Sequence, residues 1–214
     1  SVNTVLTDAT LSQLDHLDLT AAAATLGDTT LGDGVGNSTE GLDINLSGNL
    51  TLNGDISTAG DSSNNAGAVS LTAASIILNS GGATDANTVT ISTNASGTDA
   101  AISLGAVEDG GTDKALTIDA GSANFTTTST IGNSDTIGAL TISAADLILG
   151  GAVKVGSNNI SITETDDHGI GLGTALSGTA MDITDAELAL LFAQDVTLVS
   201  GGKITVNGVT AGNT

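Results

Sequence analysis

The chain has 214 residues, with 29 Gly, 33 Thr and 21 Ser, only two Phe, and no Cys, Pro, Trp, Tyr or Arg. Three Lys against 24 acidic residues give a net charge of −21, which excludes a phosphate-tracking nucleic-acid binder, and two aromatics exclude recognition by stacking. Without Cys there is neither a disulfide scaffold nor a thiolate metal site, and no apolar run is long enough to cross a membrane as a helix.

The apolar fraction is still 39% and the charged fraction 13%, so a folded core is expected. With so few aromatics that core must be thin, filled by aliphatic side chains stacked in rows. The chain opens on Ser1 without a signal-peptide pattern and reads as a processed product or an internal piece of something longer.

In chain order, residues 7–17 predict a short helix with Leu11 and Leu14 as its apolar contacts. His16, between that helix and the next strand, reads as a surface or capping residue. Asp28 and Asp33 then lie in Gly-rich turns. Leu31-Gly32-Asp33-Gly34-Val35-Gly36-Asn37 is a loose echo of the calcium-loaded β-roll repeat, whose full Gly-Gly-x-Gly-x-Asp pattern is absent.

From here short alternating strands take over. Thr88-Val89-Thr90-Ile91-Ser92, Ala115-Leu116-Thr117-Ile118-Asp119, Ala139-Leu140-Thr141-Ile142-Ser143 and Asn159-Ile160-Ser161-Ile162-Thr163 are versions of one strand. Their Ile residues lie 27, 24 and 20 apart, and Leu52, Leu71 and Ile91 extend the series backwards at 19 and 20. Between 139 and 163, apolar pairs flank Thr141, Ile148, Lys154 and Ser161, each pair on one face of a strand. Three strands and three turns thus use about 20 residues, which predicts an all-β chain folded as a parallel β-helix (β-solenoid) with three short strands per coil. Nine or ten coils would stack at ~4.8 Å each. Longer coils should bulge at 79–87, 94–99 and 107–114. Outward Thr and Ser suit a pleated surface, Gly and Asn supply positive φ at corners, and the absence of Pro keeps every ladder N–H available. A trimeric β-prism stalk shares the Gly, Thr and Asn bias and is the alternative fold.

The turns at Asp109, Asp113, Asp166 and Asp167 join Asp28 and Asp33 as candidate Ca²⁺ ligands, because Ca²⁺ prefers carboxylates and carbonyls; the alternative is a hydrated acidic surface. Asp166-Asp167-His168-Gly169 faintly resembles pieces of pectin-degrading enzymes, but an anionic sugar needs cations and the chain has no Arg, so a polar turn is favoured. The Asn-x-Ser/Thr sequons, those at Asn37, Asn49, Asn94, Asn124 and Asn159 among them, are close to chance for this composition. At 183–194, Thr184 and Glu187 form a capping box, and Leu188, Leu191 and Phe192 share a helical face, predicting a second helix over 184–194. Residues 7–20 align with this segment at an offset of 177, so 1–182 reads as one repeat unit and 183–214 as the start of another. The two helices, through Leu11, Leu14, Leu188, Leu191 and Phe192, are candidate caps or joints.

Gly48-Asn49-Leu50-Thr51-Leu52-Asn53-Gly54, Gly67-Ala68-Val69-Ser70-Leu71-Thr72-Ala73 and Gly138-Ala139-Leu140-Thr141-Ile142-Ser143-Ala144 resemble repeats of the large bacterial exoproteins related to filamentous haemagglutinin. That resemblance covers most of the chain. It implies a right-handed β-helix, secretion to the surface of a Gram-negative bacterium, and a role in adhesion or surface structure. The N-terminal secretion domain of that family is lacking, which suits an internal fragment. The expected function is therefore a non-enzymatic structural or adhesive segment of an extracellular fibre. Its partners would be neighbouring repeats or copies of itself end to end, or a cell-surface glycan. A self-stacking subunit of a filament or surface layer, and a polysaccharide-binding or polysaccharide-cleaving β-helix, are the alternatives.

Overall fold

Short strands dominate the computed structural model, which describes residues 3–6, 9–11, 16–31, 41–59, 65–79, 87–111, 113–173 and 181–210. Numbered in chain order, they build three main sheets. The first holds β1 (Asn3–Leu6), β4 (Ala23–Leu26), β7 (Asn49–Leu52), β10 (Ser75–Leu78) and β13 (Val107–Asp109). The second holds β2 (Ala9–Leu11), β5 (Thr29–Leu31), β8 (Ile56–Ser57), β11 (Thr88–Ser92), β14 (Ala115–Asp119), β16 (Leu140–Ala144), β19 (Ile160–Glu164) and β23 (Val196–Val199). The third holds β3 (His16–Ala21), β6 (Gly41–Leu46), β9 (Val69–Thr72), β12 (Ile102–Leu104), β15 (Asn124–Thr127) and β17 (Asp146–Leu149). Single bridges through Ile131 carry the first sheet on to β18 (Val153–Lys154), which pairs with β22 (Leu191–Phe192). A smaller sheet has the order β21 (Met181–Thr184), β20 (Ile170–Gly173), β24 (Ile204–Asn207).

Among the described residues every strand pairing is parallel. Up to β15 the chain visits the first, second and third sheet in turn, so each strand bonds to the strand three places away in sequence. Alternation then does the rest. Inward residues of one strand stand directly on inward residues of the next, as Val69, Ile102, Phe125 and Leu147 do, and all four are buried. Burying each such aliphatic side chain is worth roughly 1.5–3 kcal/mol. Outward positions stack likewise: Thr90, Thr117, Thr141 and Ser161 form one polar row.

The series Ile91, Ile118, Ile142 and Ile162 is a true column, in register at spacings of 27, 24 and 20 residues. Its backward extension fails. Leu52, Leu71 and Ile91 belong to the first, third and second sheets, so intervals of 19 and 20 between them are not a period. True neighbours such as Leu50 and Ile76, or Ile56 and Ile91, are 26 and 35 apart. The second sheet accordingly has eight strands among the described residues instead of the nine or ten levels expected. Residues 94–99 form the expected loop, whereas the loop expected at 107–114 begins with β13, paired with Ile76–Leu78. Of 79–87, residues 80–86 lie outside the described set.

At the described positions of the helix expected over 7–17 the chain is strand: Ala9–Leu11 is strand β2 and His16 opens strand β3, while Leu14 lies outside the described residues. Parallel pairing of Leu11 with Leu31 overrides the helical spacing. The second helix exists but is short. Helix α1 spans Asp185–Leu188, with the Thr184–Glu187 capping box formed in both directions, and Leu191 and Phe192 then pair with β18 as a strand. The segments aligned at an offset of 177 therefore differ in structure, since Ala9–Leu11 is strand and Ala186 to Leu188 is helix.

One strand is out of sequence order. β20 pairs with β24 on one side and, on the other, with β21, which follows it in the chain and lies against β17. Between β17 and β21 carboxylates replace ladder bonds: the Leu149 amide donates to Glu187 Oε1 at 3.1 Å and the Asp182 amide to Asp146 Oδ1 at 3.4 Å. On the other side of β20, Gly173 makes the tight approach to β24 possible. Its φ is +95°, and a Cβ there would lie 2.1 Å from the Asn207 carbonyl oxygen. Corners with positive φ use Gly as expected, but among the described residues the two non-Gly residues in that region are Asp113 and Asp167, not Asn.

Candidate functional site

The turns after β13 and β19 gather the most chemistry. Both start from a carboxylate on the inward side of a strand end: Asp109, 6% exposed, and Glu164, 3% exposed. Asp109 stands beside Leu78, and Glu164 beside Ala144. Each carboxylate turns to the amides of the following turn at the same offsets. Asp109 accepts from Gly111, Asp113 and Lys114 at 2.7, 2.9 and 2.8 Å. Glu164 accepts from Asp166, His168 and Gly169 at 2.8, 3.2 and 3.3 Å, and from the Ser200 hydroxyl at 2.6 Å. Positive φ at Gly111 and Asp113, and at Asp167 and Gly169, bends each loop around its carboxylate.

Burial opposes ionisation of Glu164. The donors aimed at it, the Ser200 hydroxyl and the His168 and Asp166 amides, outweigh burial and bring its pKa down to about 2. On the solvent side His168 Nδ1 lies 2.8 Å from Asp166 Oδ2. That hydrogen bond, with the Asp166 charge, raises the imidazole pKa above its ordinary 6.5. Asp146 is shifted upward chiefly by burial, with the Leu147 and Asp182 amides opposing and the Asp182 and Glu187 carboxylates adding to the rise.

Of the six candidate calcium ligands, the five among the described residues lie in three separate turns. Asp33 lies outside the described residues. Asp28 sits between β4 and β5, where its Oδ1 accepts the Asp55 amide at 2.9 Å. Asp109 and Asp113 share the turn after β13, three strand positions away in the first sheet, ~14 Å at the usual spacing. Asp166 and Asp167 share the turn between β19 and β20. Among the described residues no group of three or more His, Asp or Glu is placed to hold a metal ion. Of the apolar contact residues, Leu188 and Leu191 are half-buried against the core, whereas Phe192 is largely exposed beside Lys154. Thr136, Lys154, Gly156, Phe192 and Ala193 line an open groove of about 360 Å³ there.

Glu164 and Asp55 escaped the sequence reading. Asp55 links levels: its own amide binds Asp28, and its Oδ1 accepts the Thr90 amide at 2.8 Å. Glu164 carried a usable signal, because Ile160, Ile162 and Glu164 share one parity, and an acid at an inward position must find donors. No protein family, curated protein or solved structure matches the chain. The side chains themselves point one way: the buried carboxylates are occupied by backbone amides and shape turns.

Proposed function

We propose that the chain is a non-enzymatic structural and adhesive segment of an extracellular bacterial surface fibre, folded as a right-handed parallel β-solenoid. The observation that carries this reading is the register. Strands enter three parallel sheets in turn, and like residues stack on like, as in the column Ile91, Ile118, Ile142 and Ile162. A stack of this kind gives stiffness along its axis, since each level contacts only its neighbours and ladder bonds run from one to the next. Right-handedness follows from the strong preference of parallel crossovers for that hand. The acidic exterior keeps such segments from associating side by side. The Gly-, Thr- and Asn-rich strings that resemble haemagglutinin-like exoproteins support the surface location and the adhesive role.

Immunogold labelling of the producing cells with antibody to this chain tests the proposal. Label along fibres outside the cell is expected. Label confined to the cytoplasm, or turnover of any polysaccharide by the purified chain, contradicts it.

A further inference from the structure

We propose that β21 and α1 form a removable wedge: while β21 is seated, the third side of the stack is one strand taller than the other two, and when it leaves, β20 closes onto β17 and the levels come even. This rests on the β-solenoid reading above. Chain order gives the first observation. β19 stands on β16, and β23 on β19. In the chain β17 follows β16, β20 follows β19, and β24 follows β23. A regular level would therefore set β20 on β17 and β24 on β20. The second pairing is made, but β21 occupies the place of the first. Over the same levels the second sheet climbs by β16, β19 and β23, whereas the third side climbs by β17, β21, β20 and β24. The difference is one strand, ~4.8 Å. Connection length marks β21 and α1 as the extra piece. The chain passes from the third sheet to the first in one or two residues after β3, β6, β9 and β12 and in three after β17, but takes 17 between β20 and β22.

The seam between β17 and β21 is the weaker of the wedge's two contacts. β21 pairs with β20 at four positions, but among the described residues no backbone bond joins it to β17. Two side chains hold the seam instead. Glu187 is the latch: its Oε1 accepts the Leu149 amide, while Oε2 accepts the Thr184 amide and hydroxyl at 3.0 and 2.8 Å. Asp146 accepts the Asp182 amide at 3.4 Å. The charges of Asp182 and Glu187 also act on Asp146 here, and like charges oppose seating. Withdrawal exchanges apolar for apolar. Ile170 and Leu172 stand on Met181 and Ile183 with the same parity, so they can replace them over the buried Leu147 and Leu149. Closure exposes Met181 and Ile183, and the parallel ladder that β17 gains from β20 opposes that loss. β24 travels with β20, because the ladder between them is intact.

Spin-label distances on two sides of the molecule test this. Cys pairs replacing Ser103 and Thr205 on the third side, and Thr90 and Thr197 on the second, start and finish on matching levels. Expected in the full chain are about 24 Å, five strand steps, for the first pair and about 19 Å, four steps, for the second. Deleting 174–188 leaves Ala189 and Leu190 as a two-residue connection from Gly173 to Leu191, the length found between β12 and β13. The deletion should shorten the first pair to about 19 Å and leave the second unmoved. Hydrogen exchange of the unaltered chain gives a readout that does not depend on the deletion folding. Amides of 181–188 should exchange at least 10-fold faster than those of β20, and Glu187→Ala should widen the gap. Equal protection of β21 and β20, or a first pair that the deletion does not shorten, overturns the wedge. The second pair separates the two failures: if it holds at four steps, only the wedge is lost, whereas a distance far from four steps sinks the β-solenoid reading itself.

Discussion

Asp109 and Glu164 occupy inward positions that neighbouring levels fill with Leu78 and Ala144. Burying a carboxylate there is tolerable because three amides of the next turn, and for Glu164 also a hydroxyl, satisfy it. Glu164→Gln turns an amide donor toward those same donors and should cost about 1–3 kcal/mol in urea unfolding at pH 7. The pH dependence has a definite sign. A folded pKa of about 2, below the ordinary 4.5, means that the contribution is complete above pH 4.5 and lost as pH falls toward 2. The native chain should lose stability across that window, and Glu164→Gln should flatten the loss. Phe125, fully buried between Ile102 and Leu147, is the largest core side chain. Phe125→Ala should cost about 3–5 kcal/mol by the same measurement.

At the scale of elements, the strands with repeated Thr-x-Ile text were legible because alternation fixes both face and register. The column through Ile91, Ile118, Ile142 and Ile162 came straight from their spacing. Spacing misleads where the strands are irregular. Leu52 and Leu71 look like members of that column but lie in other sheets, since similar strands in the three sheets make one sheet's text resemble another's. The helix expected at 7–17 lost to parallel pairing, which isolated helical spacing does not register. The capping box at Thr184 and Glu187 held, yet only four residues follow it as helix, because Leu191 and Phe192 are drawn into pairing with Val153 and Lys154. The out-of-order β21 had no sequence signal at all, as its position depends on contacts of β20 and β17 distant in the chain. The five described candidate ligands sit in separate turns for a related reason: sequence places an Asp in a turn but not the amides it will bind. Gly173 is the point where the pairing of β20 with β24 can be tested. Gly173→Ala combines a strained φ with a clash against the Asn207 carbonyl and should cost at least about 1–2 kcal/mol, with amide exchange accelerated most in β20 and β24.

For the whole molecule, the absences in composition follow from stacked levels. Thin aliphatic rows leave room for one Phe in the interior, and unbroken ladders leave no place for Pro. The charge of −21 has no such structural origin. Self-repulsion among outward carboxylates should make the fold salt-dependent, so the melting temperature should rise between 20 and 500 mM NaCl. The stacking itself is the central claim, and the lack of Cys allows it to be measured cleanly. Thr30, Ser57, Ser92, Asp119, Ser143 and Thr163 form one outward column of the second sheet. Spin labels at Cys pairs introduced in this column, read by double electron–electron resonance, should separate by about 5 Å for each intervening step: roughly 14 Å for Ser57–Ser143, 19 Å for Ser57–Thr163 and 24 Å for Thr30–Thr163. A linear series supports parallel levels in this order, and distances that do not grow with the number of levels contradict it.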